Sequence, residues 1–201
     1  MIPARIVLAS ASPRRGELLR QAGIACEVRP VDLDESVLPG EAPERYVQRL
    51  AEAKARAAWA RRPAGSSLPV LAADTTVVLD GRVFGKPADA AEAREMLGRL
   101  SGRTHEVHTA IAVIHAGGAA TRLCTSRVTM RDIAPEEIDW YCAGDEPWDK
   151  AGGYAIQGLA GTFVVRLVGS YSSVVGLPLY ETVAMLEGEG FPTRRGWLGT
   201  G

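Results

Sequence analysis

Short apolar runs alternate with amphipathic helical stretches along most of the chain, and this interleaving restricts the fold more than any other feature. RIVLA (5–9) reads as a buried strand and IACEVRP (24–30) as a second. Ser12-Pro13 starts a helix between them that runs to about Ala22 and stops at Gly23. Pro43 opens a long helix to about Arg62, with Val47, Leu50, Ala51, Lys54, Ala55 and Trp59 at helical spacing. VLAAD (70–74) is a near-continuous apolar run closed by Asp74, and TVVLDGRVF follows as a hairpin turning at Asp80-Gly81. A helix over 88–100 has Asp89 as its cap, two long strands meet at Gly117-Gly118, and Pro135 begins a short helix. The strand TFVVRLVGS and a last helix from about Pro178 to Glu187 complete the pattern. The expectation is an α/β fold with a mixed twisted sheet and flanking helices, as one domain or at most two lobes sharing a cleft.

Composition then removes whole classes of function. Net charge is -1 over 201 residues, so no global positive field draws a nucleic acid or a membrane surface. No apolar run approaches the roughly 20 residues that span a bilayer, and MIPARIVLAS lacks a signal-peptide layout. Cys26, Cys124 and Cys142 are odd in number and show no paired spacing, which fits reduced thiols in the cytoplasm. Of the 23 basic residues only three are lysine, Lys54, Lys86 and Lys150. An ammonium is a point charge and a guanidinium a planar fork, so lysines that persist in an arginine-rich chain draw notice.

Arg14 and Arg15 fall in the first turn of the helix that Ser12 caps. Free N–H groups and the positive dipole end already converge there, so two more cations are better explained by an anion than by folding. Asp74 ends a buried strand, where open α/β sheets place ligands, and Thr75 and Thr76 follow with hydroxyls. Glu35 lies in an acidic loop with Asp32 and Asp34; such oxygen-rich loops hold Mg²⁺ together with substrate phosphates, although Asp32 and Asp34 individually read as solvated charge. Lys86 is confined between Gly85 and Pro87, and Lys54 sits on the apolar face of its helix. WDKAGGYAIQG (148–158) places Asp149, Lys150, Tyr154 and Gln157 among glycines, and Gln157 offers a donor and an acceptor to a base edge. His105 and His108, three apart in a strand, face opposite sides and read as structural. The markers of acyl transfer, zinc proteolysis, P-loop and Rossmann chemistry are missing.

Together SASPRR, the EAKA lysine, LAADTTVVLDGRVFGKP, LSGRTHEVHT, WDKAGGYAIQG and VVGLPL resemble the Maf family of nucleoside triphosphate pyrophosphatases. The resemblance runs in order from about residue 6 to 187. It implies an inosine-triphosphatase-like fold with a cleft between two lobes, one domain over 1–188; beyond it the sequence 189–201 reads as a flexible tail. It implies hydrolysis to monophosphate and pyrophosphate with Mg²⁺ or Mn²⁺, in a cytoplasmic enzyme that is often a homodimer. Carried over position by position, Asp74 is the proton acceptor, and Arg14, Thr75 and Gln157 are specificity positions. Ser10, Arg15, Lys54 and Lys86 match phosphate positions, with Glu35 and Asp74 toward the metal. GYAIQG resembles the subgroup acting on dTTP and UTP; the 7-methyl-GTP subgroup carries a Ser-Glu pair in place of Ile156-Gln157. Ala11 stands where glycine is frequent and Gly153 where alanine is common, and neither change removes a functional group. The alternatives are that other subgroup, or a nucleotide-binding regulator of septum formation.

Overall fold

A computed structural model describes residues 5–193. The strands are β1 (Arg5–Leu8), β2 (Ala25–Val28), β3 (Val70–Leu79), β4 (Arg82–Phe84), β5 (Thr104–His115), β6 (Gly118–Met130) and β7 (Val164–Val168). The helices are α1 (Pro13–Gln21), α2 (Pro43–Ala60), α3 (Ala90–Leu100), α4 (Pro135–Cys142), α5 (Tyr171–Val175) and α6 (Leu179–Gly188). Strand order is β2-β1-β3-β5-β6-β7, with β4 on β3. β1 is parallel to β2 and β3, whereas β4 is antiparallel to β3 and β7 to β6, so the sheet is mixed. Parallel neighbours need a crossover, and α1 and α2 occupy the two connections that join these first strands.

The chain divides into two compact units. The first takes the described residues up to Asp74, Thr109–Cys124 and those from Gly176; the second takes Thr75–His108 and Thr125–Val175. In the first unit, α2 buries Tyr46, Val47, Leu50, Ala51, Lys54, Ala55 and Ala58, a stripe at three-and-four spacing. Lys54 is thus a cation inside an apolar stripe. Trp59, expected on that stripe, is half-buried, with the Arg62 guanidinium 3.6 Å from its ring centre. In the second unit Val77, Phe84, Met96, Leu97, Leu100, Val107, Tyr141 and Phe163 belong to one core cluster. Burying side chains of this size stabilises by roughly 1.5–3 kcal/mol each before ordering entropy is subtracted.

Local chemistry accounts for the element ends. Asp89 caps α3, its carboxylate accepting from the Glu92 N–H at 2.9 Å. Asp80 (φ 52°) and Gly81 (φ 75°) are both left-handed, as a primed hairpin turn requires. Ser12 occupies the N-cap of α1, yet its side chain makes no capping hydrogen bond. The expected Ser12 cap is therefore corrected; separately, the Ser12 N–H donates to Ser10 Oγ at 3.2 Å. β3 runs unbroken from Val70 to Leu79, so VLAAD and the first arm of the hairpin are one strand. The expected tail is packed through Thr193, which is buried and donates to Glu187 at 3.0 Å, while Phe191 lies edge-on to His115; residues 194–201 lie outside the described residues. All three cysteines are free thiols, and burial raises the pKa of Cys26 and Cys142. Among the described residues no helix is long and apolar enough to cross a membrane.

Candidate active site

In the first unit, β3 delivers Asp74, α2 delivers Lys54, and the loop after β2 delivers Glu35. The Lys54 ammonium lies 2.6 Å from a Glu35 oxygen and 2.7 Å from Asp74 Oδ1. Lys54 and Asp74 are buried, whereas the Glu35 side chain is 44% exposed and open to a ligand. Burial raises the Asp74 pKa, with Lys54 and Arg15 pulling the other way. A carboxylate lifted toward working pH by its surroundings is suited to accept a proton. The Glu35 loop is held from behind: the Tyr46 hydroxyl donates to the Glu35 carbonyl at 3.0 Å, and Arg49 binds both oxygens of Glu41. Burial, then the Asp74 and Glu35 charges, push Tyr46 up to about 12, so it stays a donor. Asp32 and Asp34 are exposed, and Asp34 is engaged in a turn with the Ser36 N–H and hydroxyl.

The opening of α1 belongs to the same unit. Arg15 is half-buried; its Nε donates to the Gly176 carbonyl at 2.8 Å and its Nη1 to Ser10 Oγ at 3.0 Å. Burial holds this guanidinium below its ordinary value, offset by Asp74. Ser10 Oγ already accepts from Arg15 and from the Ser12 N–H, so its own proton is what it can offer an anion. The first turn of α1 contains no acidic residue, and Arg14 is half-buried within it. The helix dipole and the arginines suit a phosphate.

The second unit carries the other candidates. Thr75 is half-buried and points to the opposite face of β3 from Asp74, as successive strand residues do. Lys86 is exposed beside Gly85, whose carbonyl accepts from the Gly152 N–H at 2.9 Å. The glycine-rich loop is thereby tied to the FGKP segment. Gly152 (φ 72°) is required there, because a Cβ would stand 2.9 Å from a Val77 methyl. Gln157 is exposed on the same loop. Lys150 reaches back to the Glu146 carbonyl at 2.6 Å and to Asp149, so it braces the loop. His105 and His108 are structural, as expected: His105 shares a 2.7 Å hydrogen bond with the Tyr154 hydroxyl and His108 a 2.9 Å one with Thr125.

Sequence reasoning passed over Glu146 and Tyr141. Glu146 sits in the acidic stretch GDEP and looks like solvated charge, while Tyr141 looks like a plain core aromatic. The signal that was available is Gly158, one residue beyond Gln157: a Cβ there would run into the Glu146 carboxylate.

No three-residue cluster of His, Cys, Asp or Glu forms a cage for a metal ion among the described residues. Glu35 and Asp74 nonetheless converge on one cationic atom, and two carboxylates completed by substrate phosphates are how Mg²⁺ is usually held. The donor set fits a hard divalent cation.

Proteins named dTTP/UTP pyrophosphatase are 51% identical in Nitrosomonas europaea (92% of this chain, 94% of the relative) and 54% identical in Methylobacillus flagellatus (90% and 91%). Another of that name, from Anaeromyxobacter dehalogenans, is 53% identical over 94% of this chain and 95% of its own length. Among solved structures, the Staphylococcus aureus Ham1 protein aligns at 17% identity and TM-score 0.47 over 92% of this chain and 99% of its own. The model for "Maf-like protein" matches residues 5–189, and with it and these relatives spanning nearly the whole chain, the protein belongs to the Maf family.

Proposed function

We propose that this chain hydrolyses dTTP and UTP to the monophosphate and pyrophosphate, in the cytoplasm and with a divalent cation. The observation that carries the proposal is the Lys54 ammonium bridging Glu35 and Asp74, a charged site that a phosphate-bound cation can enter. Its relatives' names and the GYAIQG block support the choice of nucleotide. A homodimer is the assembly we favour; β7 ends the strand order and exposes Val165 and Val168, apolar positions on an edge that a second copy would cover.

The steps follow from the residues. Arg14, Arg15 and the α1 N-terminus offset the phosphate charge that repels a nucleophile, with Ser10 donating its hydroxyl proton. Asp74 takes a proton from water as the water oxygen bonds to the α-phosphorus and the bond to the bridging oxygen breaks. Lys54 donates to Asp74 and orients it before substrate arrives. Glu35 and Asp74 would hold Mg²⁺ or Mn²⁺, which when bound neutralises charge on the phosphate oxygens. Thr75 and Gln157 are the specificity positions and Lys86 a phosphate contact; these three roles rest on the family resemblance.

Pyrophosphate release with Mg²⁺ or Mn²⁺, across dTTP, UTP, CTP, dATP, GTP and 7-methyl-GTP, tests the reading. Release confined to dTTP and UTP is expected, with Asp74→Asn lowering turnover on the order of 10²- to 10⁴-fold while nucleotide binding persists. Release from 7-methyl-GTP instead would move the protein to the other subgroup. Silence on every nucleotide with binding intact would favour a regulator of septum formation.

A further inference from the structure

Gln157 is exposed, and nothing about its own side chain explains why its backbone stays where a base edge could be read. The groups around it do. Tyr141, 2% exposed, accepts from the Ala155 N–H at 3.2 Å and donates to Glu146 Oε1 at 2.9 Å. Glu146 then accepts from the Leu159 N–H at 2.9 Å through Oε2 and from the Ala160 N–H at 3.2 Å through Oε1. The backbone is thus gripped two residues before Gln157 and again two and three residues after it. Gly158, between the two grips, has no room for a Cβ because the Glu146 carboxylate lies against it. The Tyr141 ring is itself wedged edge-on against Phe163, with centroids 5.6 Å apart, so its hydroxyl has little freedom.

From this geometry we infer that Tyr141 and Glu146 are positioning residues for base recognition, setting the height and direction of Gln157 without touching the nucleotide. Burial, reinforced by the neighbouring Glu146, raises the Tyr141 pKa, so the hydroxyl remains a donor at any working pH. A carboxylate suits the second post because one rigid fork accepts from the tyrosine and two backbone N–H groups at once. The inference rests on Gln157 reading the base, as proposed above.

The experiment compares Tyr141→Phe, Glu146→Gln and Gln157→Ala, measuring kcat and KM for UTP, dTTP and CTP, with a thermal unfolding midpoint for each. Tyr141→Phe keeps the packed ring and removes only the hydroxyl. Both positioning variants are expected to raise KM for UTP and dTTP about tenfold and to cut discrimination against CTP similarly. Their kcat should stay within about twofold, because no reacting atom is touched. Glu146→Asp, which keeps the charge, should restore part of the discrimination. Equal loss on all three nucleotides, tracking a lowered midpoint, would reduce the pair to a structural role and overturn the inference. So would intact discrimination in both variants when Gln157→Ala abolishes it. Intact discrimination in Gln157→Ala would instead bring down the base-reading assignment itself.

Discussion

Lys54 in the first unit is buried and Glu146 in the second half-buried, yet the two polar ends are satisfied in different ways. Lys54 is held by two carboxylates at 2.6 and 2.7 Å; Glu146 is held by a tyrosine hydroxyl and two backbone N–H groups. Opposite charges can be re-partnered when a substrate brings charges of its own, so the Lys54 cluster is fit for a site that changes partners during turnover. Neutral donors fixed in the backbone have nowhere else to go, so the Glu146 cluster suits a frame that must not move. The two clusters thus rest on different physics within one chain.

The contrast is broken most sharply at Lys54. Lys54→Met leaves the buried Asp74 facing an apolar chain, and losing one partner of a buried pair costs about 3–5 kcal/mol, read as a lower urea midpoint. If stability is unchanged, Asp74 does not depend on that ammonium. A smaller effect separates the units by pH. Burial lowers His105 in the second unit to about 4, below its ordinary value of 6.5. The unfolded chain takes up that proton below 6.5 while the folded one refuses it until about 4. The His105 contribution is therefore complete above pH 6.5 and is lost as pH falls toward 4, by at most about 3 kcal/mol. Unfolding free energies across that interval should slope less in His105→Phe than in the parent, whatever the absolute stability of the variant; equal slopes would remove His105 as the source. The smallest effect is expected at Arg94, whose 2.6 Å pair with Asp139 is open to solvent on both sides. Arg94→Ala should cost under about 1 kcal/mol and lose even that in high salt.

Features carried by near neighbours were legible in the sequence. Helical spacing placed Lys54 on the buried face of α2, Asp80-Gly81 announced its turn, and Asp89 its cap. What escaped depends on partners far along the chain. Arg15 reads as a free phosphate ligand until Gly176, 161 positions later, takes its Nε. Ser12 has the ideal residue type for a cap, yet its side chain makes no capping hydrogen bond. α5, spelled YSSVV, is too short and too β-branched to announce itself as helical. Glu146 escaped because an acidic side chain beside Asp145 and Pro147 looks solvated until the fold brings Leu159 and Ala160 to it. The charged residues of the first unit, unusual in their placement, were easier to read than the frame around Gln157 in the second.

Gln157 is exposed while the residues that hold its backbone are buried or half-buried. This separates what an engineer may vary from what must be left alone. On the proposed role of Gln157, a library confined to position 157 would alter which hydrogen bonds are offered to a base while leaving Tyr141, Glu146 and Gly158 in register. New nucleotide preferences could be sought there without first stabilising the scaffold.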